Sequence, residues 1–477
     1  MIAGSEMAVV DANAAALGVS QKQLMESSGN AIARVARELA DSGESITVVA
    51  GRGNNGGDAF VAARFLEQFD VRILLLGRAD AIGTDIAREN WDALELADCS
   101  REVVRDSTAI DLGEPDLLVD AMLGTGVTGS LRQPEATAAE AINDSSATVL
   151  SVDVPSGFDA ETGTLPAGAV DADHVVTFHE TKPGLPDLDV PVTVADIGIP
   201  EAAAEFVGRG DLLRLSRDPD SHKGDHGEVL VIGGGPYVGA PALSGQAALR
   251  AGADLVRVAC PTAVAHEVQG YSENLIVRPV EGRELEPGHV GQVVEFAAEH
   301  DTLVIGPGLG DSDGTLEAAE AILTAFNGTA VVDADALQLV PDIETEATLI
   351  CTPHQGELAK MGGPRADDWR ERRDAVEEFA TELGHTLLVK GRYDILSNGD
   401  RTRVNRTGNP GMTVGGTGDV LAGVTGALAA QHDPIHAAGV GAYLAGRAGD
   451  IVAEQRGDGL VATDLLDAIP TAMRYEE

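Results

Sequence analysis

Hydrophobic and polar positions along this chain of 477 residues form short apolar runs that alternate with longer amphipathic stretches. An apolar run of roughly four to eight residues between turn residues is typical of a buried strand, and apolar positions about every three or four residues are typical of a helix. Strands that alternate with helices indicate βα units and mainly parallel sheets. The pattern therefore predicts an α/β fold.

The first half of the chain contains strand-like runs that are preceded by one long helical stretch, from about Glu6 to Leu39. These runs are Ile46–Ala50, Val71–Leu76, Leu117–Ala121, Thr148–Val152 and His174–Phe178. The runs of the second half are Glu228–Ile232, Ala253–Ala259, Thr302–Ile305, Ala330–Asp333, Thr348–Cys351 and Thr386–Val389. Several strand ends are followed by polar, glycine-containing segments, which is where open α/β sheets bind their ligands.

The length of the chain indicates two domains, because a single hydrophobic core usually stops growing at about 250–300 residues. The repeating pattern is interrupted between residues 215 and 227 by a polar segment that contains proline and glycine. Such segments are typical of domain junctions. We therefore predict one domain at residues 1–212 and a second at residues 220–477.

The formal net charge of −44 is the strongest feature of the composition. A surface this acidic is a poor partner for nucleic acid or anionic membranes, and no apolar run approaches the ~20 residues of a membrane helix. Only five of the 33 basic residues are lysines. An acid-rich, lysine-poor globular chain is typical of adaptation to molar salt, where charges are screened beyond about 3 Å. We therefore interpret the charge as a halophile's adaptation to its solvent, not as a clue to the substrate.

The cysteines Cys99, Cys260 and Cys351 are isolated and odd in number, which fits neither a disulfide framework nor a zinc site. The beginning of the chain lacks the basic segment and apolar stretch of a secretory signal. We therefore expect a cytoplasmic protein.

Four polar or glycine-rich segments of the first half follow strand ends. The first reads Gly-Arg-Gly-Asn-Asn-Gly-Gly-Asp at residues 51–58, where a strand leads into a helix whose free N–H groups attract anions. The others are residues 120–129, 151–157 and 181–184. Glycines let the backbone approach a phosphate, and carboxamide, hydroxyl and carboxylate oxygens can hold a hard cation beside it. For Asp153 alone, capping a helix or turn is the alternative.

Together these segments closely resemble the NAD(P)H-hydrate epimerase family, which has a Rossmann-like, three-layer fold. The resemblance implies epimerisation at C6 of hydrated NADH and NADPH. It also implies that Asp153 is the catalytic acid or base, with Lys182 as a second candidate, and that K⁺ is bound by Asn55, Asp120 and Ser156. The implied dinucleotide-binding residues are Asn54, Asn55, Gly56, Gly57, Asp58, Gly124, Thr125, Gly126, Val127, Thr128, Gly129, Ser130 and Asp153.

A second kind of glycine loop, Gly-Gly-Thr-Gly-Asp at residues 415–419, opens an apolar helix near the end of the chain. Its N–H groups can hold a transferring phosphoryl group, and the carboxylate of Asp419 can accept a hydroxyl proton. A Gly-Asp pair at a helix start is also a common cap. Its support comes from further segments at residues 306–310, 352–357, 390–394 and 405–412. The P-loop motif is absent from the sequence, which excludes a P-loop kinase.

This set looks like the ribokinase superfamily. Together with Lys-Gly-Asp-His-Gly at residues 223–227 and three glycines at 233–235, it resembles the ADP-dependent NAD(P)H-hydrate dehydratases. The resemblance implies that ADP phosphorylates the hydrate hydroxyl, giving AMP, and that phosphate is then eliminated to restore NAD(P)H. It implies a homo-oligomer, with Asp419 as the base and Glu357 organising Mg²⁺ through water. The implied substrate contacts are Ala240, Gly308, His354 and Asp419, and the implied nucleotide-binding residues are Lys390, Gly391, Arg392, Tyr393, Asp394, Gly416, Thr417 and Gly418.

Alternatives stay open for single residues and for whole domains. His354 could cap a strand end, while Asp333 and Asp335 could either line the site or cap the next helix. The second domain could be a kinase of a small vitamin alcohol such as a hydroxymethylpyrimidine. The first could be a non-catalytic module that binds a nucleotide or a partner protein.

Both halves nevertheless point to the same metabolite, and two independent misinterpretations would rarely converge. We therefore predict a bifunctional enzyme without nucleic-acid or membrane partners. Its first domain interconverts the R and S hydrates of NADH and NADPH, and its second dehydrates the S form with ADP.

Overall fold

A computed structural model of the chain describes residues 1–126, 129–215 and 217–475. Packing divides the chain into two compact units, Met1–Ala203 and Ala204–Glu477. Each unit contains its own sheet. The α/β fold predicted from the sequence is therefore confirmed.

The first unit alternates strands and helices. Its elements are α1 (Gly4–Ala16), α2 (Gln21–Leu39), β1 (Ser45–Ala50), α3 (Asn54–Arg64), β2 (Asp70–Leu76), α4 (Asp85–Leu96), β3 (Ser100–Val104), β4 (Leu117–Ala121), α5 (Glu135–Asn143), β5 (Thr148–Val152), β6 (His174–Phe178) and β7 (Val192–Ala195). A short helix, α6 (Glu201–Glu205), spans the division between the units.

The strands of this unit pair in parallel in the order β3-β2-β1-β4-β5-β6-β7. One face of the sheet, including Val49 and Leu118, packs on Ala138 and Ile142 of α5. The direction of strand succession reverses between β1 and β4, and open α/β sheets bind ligands at such a reversal. The sheet thus directs attention to the loops that follow β1 and β4.

The predicted strands of the first half are all present, but the predicted single helix from Glu6 to Leu39 is wrong. The chain forms α1 and α2 with a break between them, where Gly18 has a φ of 93°. Ser20 then caps α2, and its side chain and that of Gln23 bind each other's backbone N–H groups. A glycine in the left-handed region followed by a capping box ends one helix and starts the next.

The second unit is a larger α/β structure. Its elements are β8 (Glu228–Ile232), α7 (Gly239–Arg250), β9 (Leu255–Pro261), α8 (Thr262–Gly270), β10 (Ile276–Val280), α9 (Val290–Ala297), β11 (Thr302–Ile305), α10 (Asp313–Ala325), β12 (Thr329–Val332), β13 (Thr348–Cys351), α11 (Gln355–Lys360), α12 (Trp369–Leu383), β14 (Thr386–Val389), β15 (Asp394–Ser397), β16 (Thr402–Asn405), α13 (Thr417–Ala429), α14 (Pro434–Arg456) and α15 (Ala462–Ala472).

Its strands follow the order β10-β9-β8-β11-β12-β13-β14-β15-β16, parallel up to β14 and antiparallel from β14 to β16. Helices α7, α13 and α14 pack on one face, where Val304 of the sheet meets Val424 and Ala438. Helices α10 and α12 pack on the other face, where Leu349 meets Ile322 and Val376. Three layers result, and the strand succession reverses between β8 and β11.

The division between the units falls before the predicted end of the first domain at residue 212. Residues 204–215 belong to the second unit because Arg403 of β16 holds them. Its guanidinium binds the buried carboxylate of Asp211 and donates hydrogen bonds to the carbonyl oxygens of Ala204 and Phe206, at 3.2 Å and 2.8 Å. The polar segment at 215–227 therefore follows the division and does not form it.

None of the helices formed by the described residues has both the length and the apolar character needed to cross a bilayer.

Two candidate active sites

The first candidate site is a cavity of about 610 Å³ at the carboxyl ends of β1, β4, β5 and β6. Its walls come from the loops after these strands and from α1 and the start of α2. The cavity therefore lies at the strand-order reversal, and it is bordered by three of the four segments from which the sequence predicted a site and by Lys182 of the fourth.

The glycines of the loop after β1 allow close backbone approaches. A Cβ on Gly51 would lie 1.9 Å from the carbonyl oxygen of Met122, and a Cβ on Gly56 would lie 2.2 Å from that of Gly51. The loop can therefore fold tightly against β4 only with glycine at these positions. As a result α3 begins at Asn54, beside the cavity, with its first N–H groups available to an anion.

Asp153 is held in an unusual backbone conformation at the end of β5. Its φ is 67°, and its N–H donates a 2.7 Å hydrogen bond to the carbonyl oxygen of Val176. Its Oδ1 lies 3.2 Å from Nζ of Lys182 and 3.2 Å from the hydroxyl of Thr177, and its Oδ2 accepts from the N–H of Thr125. A non-glycine residue in the left-handed region is strained, so the surrounding contacts fix the direction of this carboxylate.

Lys182 is the buried partner of Asp153. Its side chain is 2% exposed, and Nζ also donates to the carbonyl oxygens of Phe178 and Glu180, at 3.1 Å and 3.3 Å. A buried ammonium group with three oxygen partners has its donors satisfied and cannot swing away without leaving a buried charge unpaired. Lys182 therefore fixes the position of the Asp153 carboxylate.

Two further carboxylates line the same cavity. Burial raises the pKa of Asp58 well above its ordinary value, and the charges of Asp153 and Asp11 add to the rise. Burial also raises the pKa of Asp11 to about 6, although the cation of Lys182 opposes the shift. The sequence predicted Asp58 but not Asp11, which lies on α1 outside the glycine-rich segments. The spacing of Gly4, Ala8 and Asp11 on one helix face would have placed them together, but it carried no sign of a cavity.

The three predicted potassium ligands lie around the ends of β4 and β5. Asp120 is fully buried and accepts hydrogen bonds from Ser151 and from the hydroxyl and N–H of Ser156, with the hydroxyl at 2.6 Å. Asn55 donates to the carbonyl oxygen of Val152, but its buried Oδ1 has no hydrogen-bond donor among the described residues. A buried acceptor without a donor is a natural ligand position for a cation.

The remaining predicted residues of the first site divide into three groups. Gly124, Thr125 and Gly126 line the cavity with Asn54 and Asn55, while Gly56 and Gly57 are buried in the first turn of α3. Gly129 and Ser130 are exposed and do not line the described cavity. Val127 and Thr128 lie outside the described residues.

The second candidate site lies at the carboxyl ends of the second sheet, where glycine loops follow β8 and β11. The N–H of Gly234 donates to the carbonyl oxygen of Pro307 at 3.0 Å, so the two loops are in contact. Gly308 has a φ of 72°, and a Cβ there would lie 2.5 Å from the carbonyl oxygen of Tyr237 and 3.3 Å from Cβ of Ala240. The structure thus brings together Gly308 and Ala240, two of the predicted substrate contacts.

Asp419 lies in the first turn of α13. The N-cap residue Gly416 has a φ of 98°, which leads the chain sharply into the helix and leaves the first N–H groups facing outward. Burial raises the pKa of Asp419 to about 7, the carboxylate of Asp333 adds to this rise, and Lys390 opposes it. A carboxylate with a pKa near neutrality is suited to accept a proton at physiological pH.

Lys390 connects three acidic residues in this site. Its Nζ lies 2.9 Å from Oδ1 of Asp333 and 3.8 Å from Oε2 of Glu357. Burial lowers its pKa, but the charges of Asp333, Glu357 and Asp419 outweigh that effect and raise it. Among the residues that the structure describes, Asp333 makes no capping hydrogen bond and instead accepts from Thr352 and Lys390. Of its two predicted alternatives, the structure therefore supports a place in the site.

His354 caps α11. Its Nδ1 accepts hydrogen bonds from the N–H groups of Gly356 and Glu357, at 2.9 Å and 3.1 Å, and Glu357 binds the N–H of His354 in return. His354 therefore caps a helix start, not the strand end that was its alternative role. Nδ1 is an acceptor here, so the proton of a neutral ring is on Nε2, and 60% of the side chain is exposed to a ligand.

The loop after β14 is closed by its own residues. Asp394 accepts from the N–H of Gly391 and from the amide of Asn405, both at 2.8 Å, and burial raises its pKa to about 6. The ring of Tyr393 stacks on Trp369 with centroids 5.0 Å apart. The hydroxyl of Thr417 donates to the carbonyl oxygens of Met412 and Val414. The side chains of Asp394 and Thr417 thus shape the loops, and only their backbone groups are left for a nucleotide.

Both halves of the chain match families of known proteins. Residues 229–471 match the NAD(P)H-hydrate dehydratase family, and residues 21–184 match the family described as YjeF-related protein N-terminus. Among solved structures, the ADP/ATP-dependent NAD(P)H-hydrate dehydratase from Bacillus subtilis, co-crystallised with ATP and Mg²⁺, is 27% identical with a TM-score of 0.50. That alignment covers 57% of this chain and 99% of the Bacillus chain.

Relatives of similar length match from end to end. The bifunctional NAD(P)H-hydrate repair enzyme Nnr of Methanothermobacter thermautotrophicus is 43% identical over 98% of this chain and 94% of its own length. The enzyme of the same name from Archaeoglobus fulgidus is 41% identical over 99% and 98%. These matches do not favour a vitamin-alcohol kinase or a non-catalytic first half. The chain belongs to the family of bifunctional NAD(P)H-hydrate repair enzymes.

Proposed function

We propose that the first unit interconverts the R and S hydrates of NADH and NADPH, and that the second unit dehydrates the S form with ADP, giving AMP and phosphate. The main support is one observation: each unit holds a lysine–carboxylate pair beside a glycine loop at the carboxyl ends of parallel strands. In the first unit the pair is Asp153 and Lys182, and in the second it is Asp333 and Lys390, next to Asp419.

In the first unit, the diphosphate of the dinucleotide would lie against the loop at 51–58 and the start of α3. The hydrated nicotinamide ring would then extend into the cavity toward Asp153. Because Lys182 orients the carboxylate of Asp153, Asp153 can exchange a proton with an oxygen bonded to C6 of the hydrate.

A potassium ion fits the residues of this site. Within the described part of the chain the buried Oδ1 of Asn55 lacks a donor, and burial raises the pKa of Asp120 although four hydrogen bonds oppose the shift. A cation held by Asn55, Asp120 and Ser156 would satisfy the first group and favour the ionised form of the second. When bound, it would supply positive charge near the substrate phosphates.

In the second unit, Asp419 would take the proton of the hydrate hydroxyl while the N–H groups of residues 416–418 hold the phosphoryl group. Phosphate is a far better leaving group than hydroxide, so its elimination restores the dihydropyridine. A Cβ added to Gly418 would lie 3.4 Å from Nζ of Lys390, so the lysine is close to the glycine loop. Lys390 would bind the transferred phosphate there. Magnesium, when bound, neutralises phosphate charge, and the carboxylate of Glu357 would hold it through water.

The test uses the purified full-length protein in molar KCl with Mg²⁺. Adding ADP and the S hydrate should regenerate the near-ultraviolet absorbance of NADH. The R hydrate should also give NADH, after the first unit has converted it to the S form. Incubation of either pure hydrate without nucleotide should give the equilibrium mixture on chromatography. A protein that instead phosphorylates a vitamin alcohol and leaves both hydrates unchanged would contradict the proposal.

We further propose a homo-oligomer in the cytoplasm of a halophile. The high acidic charge and the scarcity of lysine support the last point. Size-exclusion chromatography in molar salt tests the oligomeric state. Loss of the folded state on dilution into low salt tests the adaptation to high salt.

A further inference from the structure

Asp11 lines the first cavity and has no role in the scheme above. It lies on the same face of α1 as Gly4 and Ala8, and all three line the cavity. The helix is held by the 3.0 Å hydrogen bond from Ile2 N–H to Thr181 and by the buried 3.1 Å hydrogen bond from Asn13 to Ala203. Asp11 is therefore fixed toward the ligand space.

Asp11 approaches that space from the helix wall, whereas Asp153 approaches it from the end of β5. The charged residues that line the cavity are Asp11, Arg52, Asp58, Glu135, Asp153 and Lys182. Of these, Lys182, Asp153 and Asp58 interact with Asp11 electrostatically. Lys182 is ion-paired with Asp153, whereas burial and the charge of Asp153 favour a proton on Asp11. Two carboxyl groups whose environments separate their proton affinities are suited to act as acid and base.

Inversion at C6 needs two proton transfers. The hydroxyl-bearing carbon is bonded to the ring nitrogen, whose lone pair expels the hydroxyl once that oxygen is protonated. The planar iminium that results must then add water on its other face, and that water must lose a proton. A single fixed carboxylate cannot reach both oxygens, so one group is needed on each face.

We propose that Asp11 is the second acid–base residue of the epimerase site and acts on the face of the ring opposite Asp153. This assignment rests on the epimerase function proposed above. Asp11 gives its proton to the hydroxyl, the C6–O bond breaks and water leaves. Another water forms a new C6–O bond on the other face and gives its proton to Asp153. One proton has then moved from Asp11 to Asp153, and the reverse reaction moves it back.

The shared proton fixes the pH dependence. Both directions need the carboxyl pair to hold one proton in total, so both slow together when that proton is lost. Asp11 has a pKa of about 6, so kcat/KM for epimerisation should fall as the pH rises through that region, equally for the R and S substrates.

The experiment compares Asp11→Asn and Asp11→Glu with the wild-type full-length protein. Asp11→Asn keeps the shape but cannot donate an acidic proton, so kcat for epimerisation should fall by about 100-fold or more while KM changes little. The fall in kcat/KM near pH 6, the basic limb of the pH–rate profile, should disappear. Asp11→Glu should recover part of the rate and keep a limb, but at a shifted pH. Dehydration of the S hydrate by the same preparations is the internal control and should be unchanged.

Normal epimerisation by Asp11→Asn, or a loss through KM alone, would overturn the assignment. So would a slow Asp11→Asn enzyme that keeps the limb near pH 6, because the titrating group would then be another residue. If Asp11→Asn fails to fold, a changed limb in Asp11→Glu decides for the assignment and an unchanged profile decides against it. A wild-type protein that dehydrates the S hydrate but does not epimerise would refute the proposed function itself.

Discussion

Lys182 and Lys390 follow strand ends in their respective units and pair with carboxylates, yet their surroundings differ. Lys182 is 2% exposed, and its donors are used by one carboxylate and two carbonyl oxygens. Lys390 is 21% exposed and lies between two carboxylates, with Asp419 close by. The first lysine is a fixed part of the scaffold that orients Asp153. The second retains access to an incoming phosphate.

The two proposed bases differ in the same way. Asp153 is directed by a strained backbone and an ion pair, whereas Asp419 lies in an ordinary helical turn and owes its raised pKa to burial and a like charge. The first arrangement suits reversible proton exchange on a bound ring. The second keeps a base ready at neutral pH and leaves the adjacent N–H groups for a phosphoryl group.

The strongest test of this difference is Asp419→Asn. Loss of the base should lower kcat for dehydration by about 1,000-fold, with nucleotide binding retained and epimerisation unchanged. The increase in NADH absorbance and the chromatographic exchange of the hydrates measure the two activities in one preparation. Near-normal dehydration would show that Asp419 is not the base.

The same variant makes a prediction about stability with a defined sign. The folded pKa of Asp419, about 7, lies above the unfolded value, so the folded state binds more protons between about pH 4 and pH 7 and loses stability as the pH rises through that range. A neutral asparagine removes this cost. Asp419→Asn should therefore unfold at a higher temperature than the wild type at pH 8, with little difference at pH 4.

Exchange of each lysine for methionine should distinguish the structural role of Lys182 from the ligand-binding role of Lys390. Lys182→Met leaves a partly buried carboxylate unpaired, so epimerisation should fall by about 100-fold and stability by about 3 kcal/mol. Lys390→Met should chiefly raise the KM for ADP, by about tenfold. Thermal unfolding and nucleotide titration measure the two effects. An unchanged KM for ADP in Lys390→Met would contradict the proposed phosphate contact.

A smaller effect is expected from Asp333→Asn. Asp419 must be ionised to act as a base, so dehydration by the wild type should fall as the pH drops below about 7. Without the charge of Asp333 the pKa of Asp419 decreases, and the acidic limb of the pH–rate profile should move to lower pH. Asp335→Asn is the matched control, because among the described residues the carboxylate of Asp335 has no ion pair. A limb that stays in place would exclude this coupling.

The sequence predicted the central strands well because strands buried on both faces are continuous apolar runs. The edge strands β3 and β7 were missed since they are short and half exposed. The β15–β16 hairpin was missed although Asn398-Gly399 is a turn signal between its strands. The break before α2 was also readable, from Gly18 and the capping residues Ser20 and Gln23.

The site could be predicted as far as its residues lie in glycine-rich segments at strand ends. Pairings across the fold could not be predicted, because Lys390 and Asp333 are 57 residues apart in the chain and meet only through the order of strands. Asp11 was missed for another reason. An acidic residue on an amphipathic helix is ordinarily a solvated surface group, and only the packing of α1 shows that it lines a cavity.

The attachment of residues 204–215 to β16 decides how the chain can be cut. A fragment that starts at Ala204 keeps the carboxylate that neutralises Arg403, together with the carbonyl oxygens that the guanidinium binds. A fragment that starts at residue 220 would leave the guanidinium of Arg403 buried without a counter-charge. Separate expression of the dehydratase half should therefore succeed only from the earlier start, and gene fusions or splits in this family can be designed around that position.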